Sequence, residues 1–367
     1  MAIVSEFGSI GQHIEDLDTP SLLLDLDAVE RNLDAMAAAL AGSGMRLRPH
    51  TKTHKAPVLA HMQIARGAIG VCCAKLGEAE VMAAGGVSGL LVTTEVVGAA
   101  KIRRLLGIAH QVEVITVVDD VRAAAQLSEA ALSEGVRLRC LIDVNIGQNR
   151  TGVEPGTPAL ELARAVDGLK GLQVAGLQGY QGHLQHVPTP EMRAELNASS
   201  VQLLGQTAEL LRADGFRMEI VSGGGTGTCQ FAANAGTYTE LQAGSYVVMD
   251  AQYAGVQGVQ FEHALSILTS VVSVNRDRSP IVDVGTKSAS TDAGPPTARG
   301  LDATYAPLGD EHGKLVFEQG NPLALGDKVE LIPGHCDTTI NLYDVYHVTR
   351  GGRVVAIWPI AGRGRTQ

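Results

Sequence analysis

The sequence predicts a (β/α)₈ barrel followed by a smaller β domain, and three observations carry that prediction. Short apolar runs alternate with amphipathic stretches up to about residue 255, the written form of repeated βα units. Polar, glycine-bearing motifs follow several of those runs, as they do when loops converge on the C-terminal face of a barrel. Beyond residue 255 helical periodicity stops and only strand-like runs remain. A doubly wound sheet is the competing arrangement, but no G-x-G-x-x-G follows the first strand. The expected division is residues 18–255 as barrel and 256–367 as β domain, the latter joined by residues 1–17.

The elements follow in order. Ser21–Asp25 is an apolar strand, and Asp27 with Glu30 three positions on resembles a capping box. Leu26, Val29, Leu33, Met36 and Leu40 then form one helical stripe that Gly42 ends. Arg46–Arg48 is the second strand. The alternation continues with strand 69–73 and helix 78–84, then strand 89–93 and helix 99–106. Strand 111–118, helix 121–132 and strand 136–144 come next, and strand 172–178, helix 192–211 and strand 218–222 complete eight strands. In the second domain the strands are expected at 264–274, 281–284, 328–332, 341–348 and 354–358. The segment Asp292–Arg299 between them is a long loop of the kind that borders sites.

The chain has 367 residues, enough for a barrel and a second unit, and 45% of them are apolar. A net charge of −10 without a basic tract argues against nucleic acid or an anionic membrane as partner. The expected partner is a small molecule. Five scattered cysteines make neither a disulfide framework nor a C-x-x-C metal pattern, which fits a reducing cytoplasm. No basic leader with an apolar stretch opens the chain, and no run approaches the roughly 20 apolar residues of a membrane span. A homodimer is the expected assembly.

Chemistry concentrates in Arg48-Pro-His-Thr-Lys-Thr-His-Lys55. Pro49 keeps Arg48 extended, so Arg48, His50 and Lys52 are expected on one face. A lysine among cations has its ammonium disfavoured and becomes a better amine nucleophile toward an aldehyde such as pyridoxal phosphate (PLP). Lys52 is therefore the candidate Schiff-base residue, against the plainer reading of a solvated basic turn. Ser222-Gly-Gly-Gly-Thr-Gly-Thr228 follows the last barrel strand and is suited to close backbone N–H groups around a phosphate. Gln242-Ala-Gly-Ser-Tyr246 adds a second small-residue turn. Gly147-Gln-Asn-Arg-Thr-Gly152 aims Arg150 at the same barrel end, and Tyr180 and His186 follow the strand at 172–178. In Pro333-Gly-His-Cys-Asp337, His335 and Asp337 lie two apart and are expected on one side of an extended chain, with Cys336 opposite. One imidazole and one carboxylate prefer Mn²⁺ or Mg²⁺, with Zn²⁺ a weaker fit.

These motifs resemble those of the D-threonine aldolase and D-serine dehydratase family, whose members are similar to the alanine racemases in fold. Arg48–Lys55 looks like the family's R-P-H-x-K-x-H-K signature, which implies PLP on Lys52. By the same resemblance Gly225, Thr226, Gly244, Ser245 and Tyr246 surround the PLP phosphate, Arg150 lies against its ring oxygen and Tyr180 is close by. The family often has cysteine where Thr151 stands. His186 matches a histidine near the substrate hydroxyl, and Asp310 and His312 lie in a D-E-H-G stretch similar to one near the metal. Pro-Gly-His-Cys-Asp is very like the metal-dependent D-threonine aldolases, whereas the dehydratases have cysteine at the position of Asp337.

The resemblance implies a lyase that cleaves D-threonine-like substrates to glycine and an aldehyde. The alternatives are an aldolase or dehydratase of D-3-hydroxyaspartate, a dehydratase of D-serine and, outside catalysis, a PLP-homeostasis protein. Proteins of the last kind lack the β domain that residues 256–367 are expected to form.

Overall fold

The computed structural model describes residues 7–233, 236–275 and 279–367. Residues 1–6 of the segment expected to join the second domain lie outside the described residues. Farther along that segment, Gly11 N–H donates to Val354 O at 2.8 Å and Ile14 N–H to Gly352 O at 3.0 Å.

Strand β1 (Ser21–Asp25) departs from expectation. It is buried along most of its length, yet it belongs to the second sheet, antiparallel to β10 (Leu265–Ser273) and parallel to β16 (Val345–Arg350). An apolar strand reads the same whichever sheet it joins, and periodicity does not tell the two apart. Asp25 caps helix α1 (Leu26–Leu40), its carboxylate accepting from Ala28 N–H. The barrel begins after this helix.

Its eight parallel strands are β2 (Arg46–Leu47), β3 (Val71–Cys73), β4 (Leu90–Val92), β5 (Val114–Val118), β6 (Leu138–Asp143), β7 (Leu172–Gly179), β8 (Ile220–Gly223) and β9 (Glu240–Leu241). From β3 to β9 each neighbours the next in sequence, and β9 returns to pair with β2. The strand at 218–222, expected to be the last, is therefore the seventh of the barrel. β9 is too short to show periodicity. Closure on the other side is made by the chain beyond β2, where Cys72 N–H donates to Pro49 O and Thr51 N–H to Cys72 O, each at 2.8 Å.

Helices α2 (Pro57–Ala65), α3 (Leu76–Ala84), α4 (Ala99–Ala109), α5 (Val121–Ser133), α6 (Thr157–Asp167) and α7 (Pro190–Ala213) surround the strands. α2 and α6 had no counterpart in the sequence reading; both carry proline in the first turn, where its missing N–H costs nothing. Inside the ring, Cys72, Leu91, Ile115, Val117, Leu141, Ala175 and Ile220 form a core of their own, alternating with residues that face the helices.

The second sheet has nine strands, in the order β11-β14-β13-β12-β15-β10-β1-β16-β17. Its remaining members are β11 (Ile281–Val282), β12 (Thr297–Ala298), β13 (Thr304–Pro307), β14 (Gly313–Val316), β15 (Lys328–Ile332) and β17 (Arg353–Pro359), and β11 also pairs with β10. The expected strand at 341–348 opens as a turn after a short helix (Cys336–Ile340) and becomes β16 only at Val345.

Arg48 is placed by this closure, and away from the site. Its guanidinium forms a two-point ion pair with Glu240 at the head of β9, both contacts 2.8 Å, and also donates to Gly89 O. Both side chains are buried. Removing one partner leaves a buried charge uncompensated, so Glu240→Ala should lose roughly 3–5 kcal/mol of stability, read from urea unfolding midpoints. A loss below about 1 kcal/mol would show that the pair is dispensable for closure.

Candidate active site

β2 stops at Leu47, and the next residues bend into a turn closed by Lys55 N–H donating to Thr51 O at 2.8 Å. Lys55 holds a positive φ of 53° and pairs with buried Glu78 at 3.0 Å. His54 Nδ1 accepts from Ala56 N–H at the start of α2, so His54 serves the helix entry. The turn leaves Lys52 at the mouth of a partly enclosed cavity. His50, Thr93, Arg150, Gln178, Tyr180, Gly225, Thr226, Gln242, Gly244, Ser245 and Tyr253 share its wall.

The glycine-rich segments meet in this cavity. Thr226 and Ser245 each open a 3₁₀ turn (Thr226–Thr228 and Ser245–Val247), so their N–H groups have no intrahelical acceptor by position. Thr226 Oγ1 accepts from Tyr246 N–H at 3.1 Å and ties the two turns together. At Gly244 a Cβ would meet Thr53 Oγ1 at 2.7 Å and His50 O at 2.9 Å, which is why the chain carries glycine there. Two amide-lined turns, an amine and a guanidinium around one cavity suit a phosphorylated aldehyde cofactor. The side chain of Tyr246 is elsewhere: it is buried, and its hydroxyl meets Gln63 Nε2 at 3.0 Å.

Arg150 lies 5.8 Å from the centre of the Tyr180 ring. His186 stacks on Tyr253 at 4.4 Å, and its buried Nε2 has no hydrogen-bond partner among the described residues. Burial pushes its pKa down, which keeps the ring neutral. His50 donates to or accepts from Thr93 Oγ1 at 3.2 Å, and burial with the nearby Lys52 charge lowers it to about 3.

Lys52 does not stand among cations alone, as its sequence neighbours suggested. Its Nζ forms an ion pair with Asp337 of the second domain. Burial pulls the lysine pKa down, but the Asp337 carboxylate outweighs it and the net direction is up. Asp337 itself is held well below the usual carboxylate range, Lys52 and His335 overcoming the opposing effect of burial.

His335 and Asp337 are not alternate residues of an extended chain. Cys336 starts helix α10 (Cys336–Ile340), with His335 as its cap residue and Asp337 in the first turn. His335 Nδ1 is 2.8 Å from Asp292 Oδ2, and Asp292 also accepts from Thr338 Oγ1 at 2.8 Å. That contact leaves His335 Nε2 for a ligand and fixes the tautomer. Among the described residues no three metal-capable side chains converge. Asp310 and His312 are exposed in the turn between β13 and β14, where Asp310 faces Lys287 at 3.7 Å.

Several contributors escaped the sequence. Asp292 sat in an expected loop with nothing to mark its partner. Asp250, fully buried, accepts from Cys336 N–H at 2.9 Å and so seats α10 on the barrel. Gln181 and Gln185 hold the glycine run, with Gly224 N–H donating to Gln181 Oε1 at 3.3 Å and Gly227 N–H to Gln185 Oε1 at 2.9 Å. The recurrence of glutamine after β7 was the available signal.

Comparison with known proteins agrees with this geometry. Residues 24–252 match the family model described as alanine racemase, N-terminal domain, and residues 264–349 match the one described as putative serine dehydratase domain. The chain is 40% identical to a 3-hydroxy-D-aspartate aldolase of Paracoccus denitrificans (strain Pd 1222), over 97% of this chain and 94% of the relative. It belongs to the D-threonine aldolase-like family. A D-threonine aldolase of an Arthrobacter species is also 40% identical, over 96% of this chain and 95% of the other. The crystal structure of a D-threonine aldolase from Filomicrobium marinum superposes with a TM-score of 0.96 at 43% identity, covering 98% of both chains. The alanine racemase-like fold of this family supports PLP as the cofactor. No helix among the described residues is long and apolar enough to cross a membrane.

The crowding at Gly244 gives a direct check. Gly244→Ala should displace the turn that carries Lys52, lower stability by about 1–3 kcal/mol and weaken PLP retention. Thermal unfolding and the visible absorbance left after gel filtration measure the two effects. Unchanged PLP retention would separate Gly244 from the cofactor.

Proposed function

We propose that this protein is a PLP- and divalent-metal-dependent aldolase that cleaves D-3-hydroxyamino acids to glycine and an aldehyde. One observation carries the reading: the barrel lysine at the cavity mouth and the carboxylate of the second domain's His-Cys-Asp motif meet as an ion pair. Amine and carboxylate chemistry are thereby brought to one point.

Within that point each residue has a role. Thr226, Gly244 and Ser245 take the phosphate in the two turns, and Arg150 holds a negative ring oxygen from the opposite loop. Lys52 would supply the amine that anchors PLP. PLP, when bound, supplies the electron sink for bond breaking at Cα. His335 and Asp337 would hold a divalent ion, whose chemistry is to lower the pKa of a substrate hydroxyl. His186, its Nε2 unpartnered among the described residues and burial lowering its pKa, or a water on the ion, would accept that hydroxyl's proton. Asp292 orients His335 from behind.

Three measurements test this. Borohydride reduction should fix pyridoxyl on Lys52, and Lys52→Ala should abolish the link and the activity while the fold remains. Attachment to Lys55, Lys75 or Lys287 would defeat the assignment. Chelation should leave PLP in place but remove turnover, Mn²⁺ or Mg²⁺ should restore it, and Asp292→Ala should weaken metal affinity about 10–100-fold. D-threonine should yield glycine and acetaldehyde with little ammonia. Release of ammonia with a 2-oxo acid in place of glycine would overturn the aldolase reading in favour of the dehydratase.

A further inference from the structure

The loop that carries Arg150 is held by carboxylates on neighbouring strands rather than by Arg150 itself. Arg150 makes no ion pair among the described residues, and it is exposed. Its neighbours are fixed: Thr151 Oγ1 donates to Asp143 Oδ2 at 3.0 Å, and Gly152 N–H donates to Asp119 Oδ2 at 3.2 Å. Gly152 has φ +92°, and a Cβ there would lie 2.8 Å from Asn145 N, so the loop folds flat on the end of β6. Asp143 is buried, and its second oxygen accepts from Gln178 Nε2 at 2.9 Å on the cavity wall. One carboxylate thus links the Arg150 loop to the cavity floor.

Asp143 has an unusual neighbour. Glu95, just beyond β4, has a carboxyl that interacts with that of Asp143, and its buried Oε1 has no hydrogen-bond partner among the described residues. Neither Glu95 nor Asp143 is ion-paired among the described residues, while Lys75, Lys101 and Arg150 border the cleft that Glu95 lines. Two neighbouring buried carboxyls disfavour each other's ionised form. Burial, with Asp143 and Asp119 adding to it, raises Glu95 to about 7, and burial raises Asp143 as well.

We propose that Asp143 is a positioning residue for Arg150, with Glu95 as the carboxylic acid that donates a hydrogen bond to it. The inference rests on the reading of the cavity as a PLP site. Asp143 accepts from Thr151, Gln178 and Glu95 together, and it holds the Arg150 loop against the cavity while the Glu95 proton is in place. When that proton leaves, two adjacent carboxylates repel and the loop loosens.

The test uses the holoenzyme and the pH titration of its visible band. A guanidinium beside the cofactor's ring oxygen favours the ionised form, so Arg150→Ala should move the titration to higher pH by roughly one unit. Asp143→Ala should reproduce a large part of that shift, and the double variant should shift no further than Arg150→Ala alone. Glu95→Gln, which still donates, should keep the wild-type band, whereas Glu95→Ala should move it toward Asp143→Ala. A folded Asp143→Ala protein with a wild-type titration, or shifts that add, would overturn the positioning role.

Stability against pH reads the pair independently. A carboxyl whose folded pKa lies above its unfolded value contributes stability below about pH 4, and that contribution is lost as pH rises through about 7. With chelator present, the melting temperature of wild type should therefore fall relative to Glu95→Gln between pH 5 and 8. A constant difference between the two would overturn the shared proton. Absence of a visible band in wild type would overturn the cofactor reading and Arg150's role in it, while the stability comparison would still decide the Glu95–Asp143 pair.

Discussion

A guanidinium buried in a barrel wall persists only when its charge is met, and the pairing of Arg48 with Glu240 meets it at the one place where the ring has to close. β2 and β9 are two residues each, too short to secure their register by backbone pairing alone. The two-point contact between them adds directionality that a pair of short strands lacks. Lys52 follows four residues after Arg48. Once the strand is fixed, Pro49 and Thr51 bridge to Cys72, the chain turns, and Lys52 stands at the cavity mouth. The arginine of the signature thus supports the chemistry by fixing where its lysine can be.

The second constraint is the seam between barrel and β domain. β1 precedes the barrel yet lies in the middle of the other sheet, so the barrel sequence is enclosed between two segments of one domain. The seam is polar and specific: Asp250 captures Cys336 N–H, Ala251 N–H donates to Pro333 O at 2.9 Å, and Gln252 N–H donates to Gly334 O at 3.2 Å. These bonds hold the His335–Asp337 turn in place from the barrel side. A site divided between two units is only as well defined as the contact that joins them.

Much of this was legible in the residues. The helix Leu26–Leu40 was found to its last residue because its apolar stripe runs that far, although Asp25 caps it and not the expected Asp27. The barrel's glycine motifs were placed correctly at the C-terminal ends of strands, since glycine and hydroxyl residues have few other reasons to cluster after apolar runs. What was not legible is non-local. Nothing in Ser21–Asp25 says which sheet it completes, and nothing near Asp292 says that His335, 43 positions later, accepts its company. Helix α10 was read as extended chain because five residues are too few for a helical period to appear. Asp143 and Glu95 lie far apart in the sequence, and only the barrel brings them together.

The pairing of Lys52 with Asp337 also bears on how the site discriminates between reactions that start from similar parts. A carboxylate at that position neutralises the lysine and remains a hard oxygen donor, suited to ions that keep several water or substrate positions open. A thiolate there would be softer, would favour zinc, and would pair less well with an ammonium. Asp337 is therefore constrained from both sides, by the amine of the barrel and by the ion that His335 would share with it. His335 is held through Asp292 in turn, so a chain of contacts reaches from the barrel lysine to a loop of the second sheet. Substituting Asp337 would therefore disturb the lysine as well.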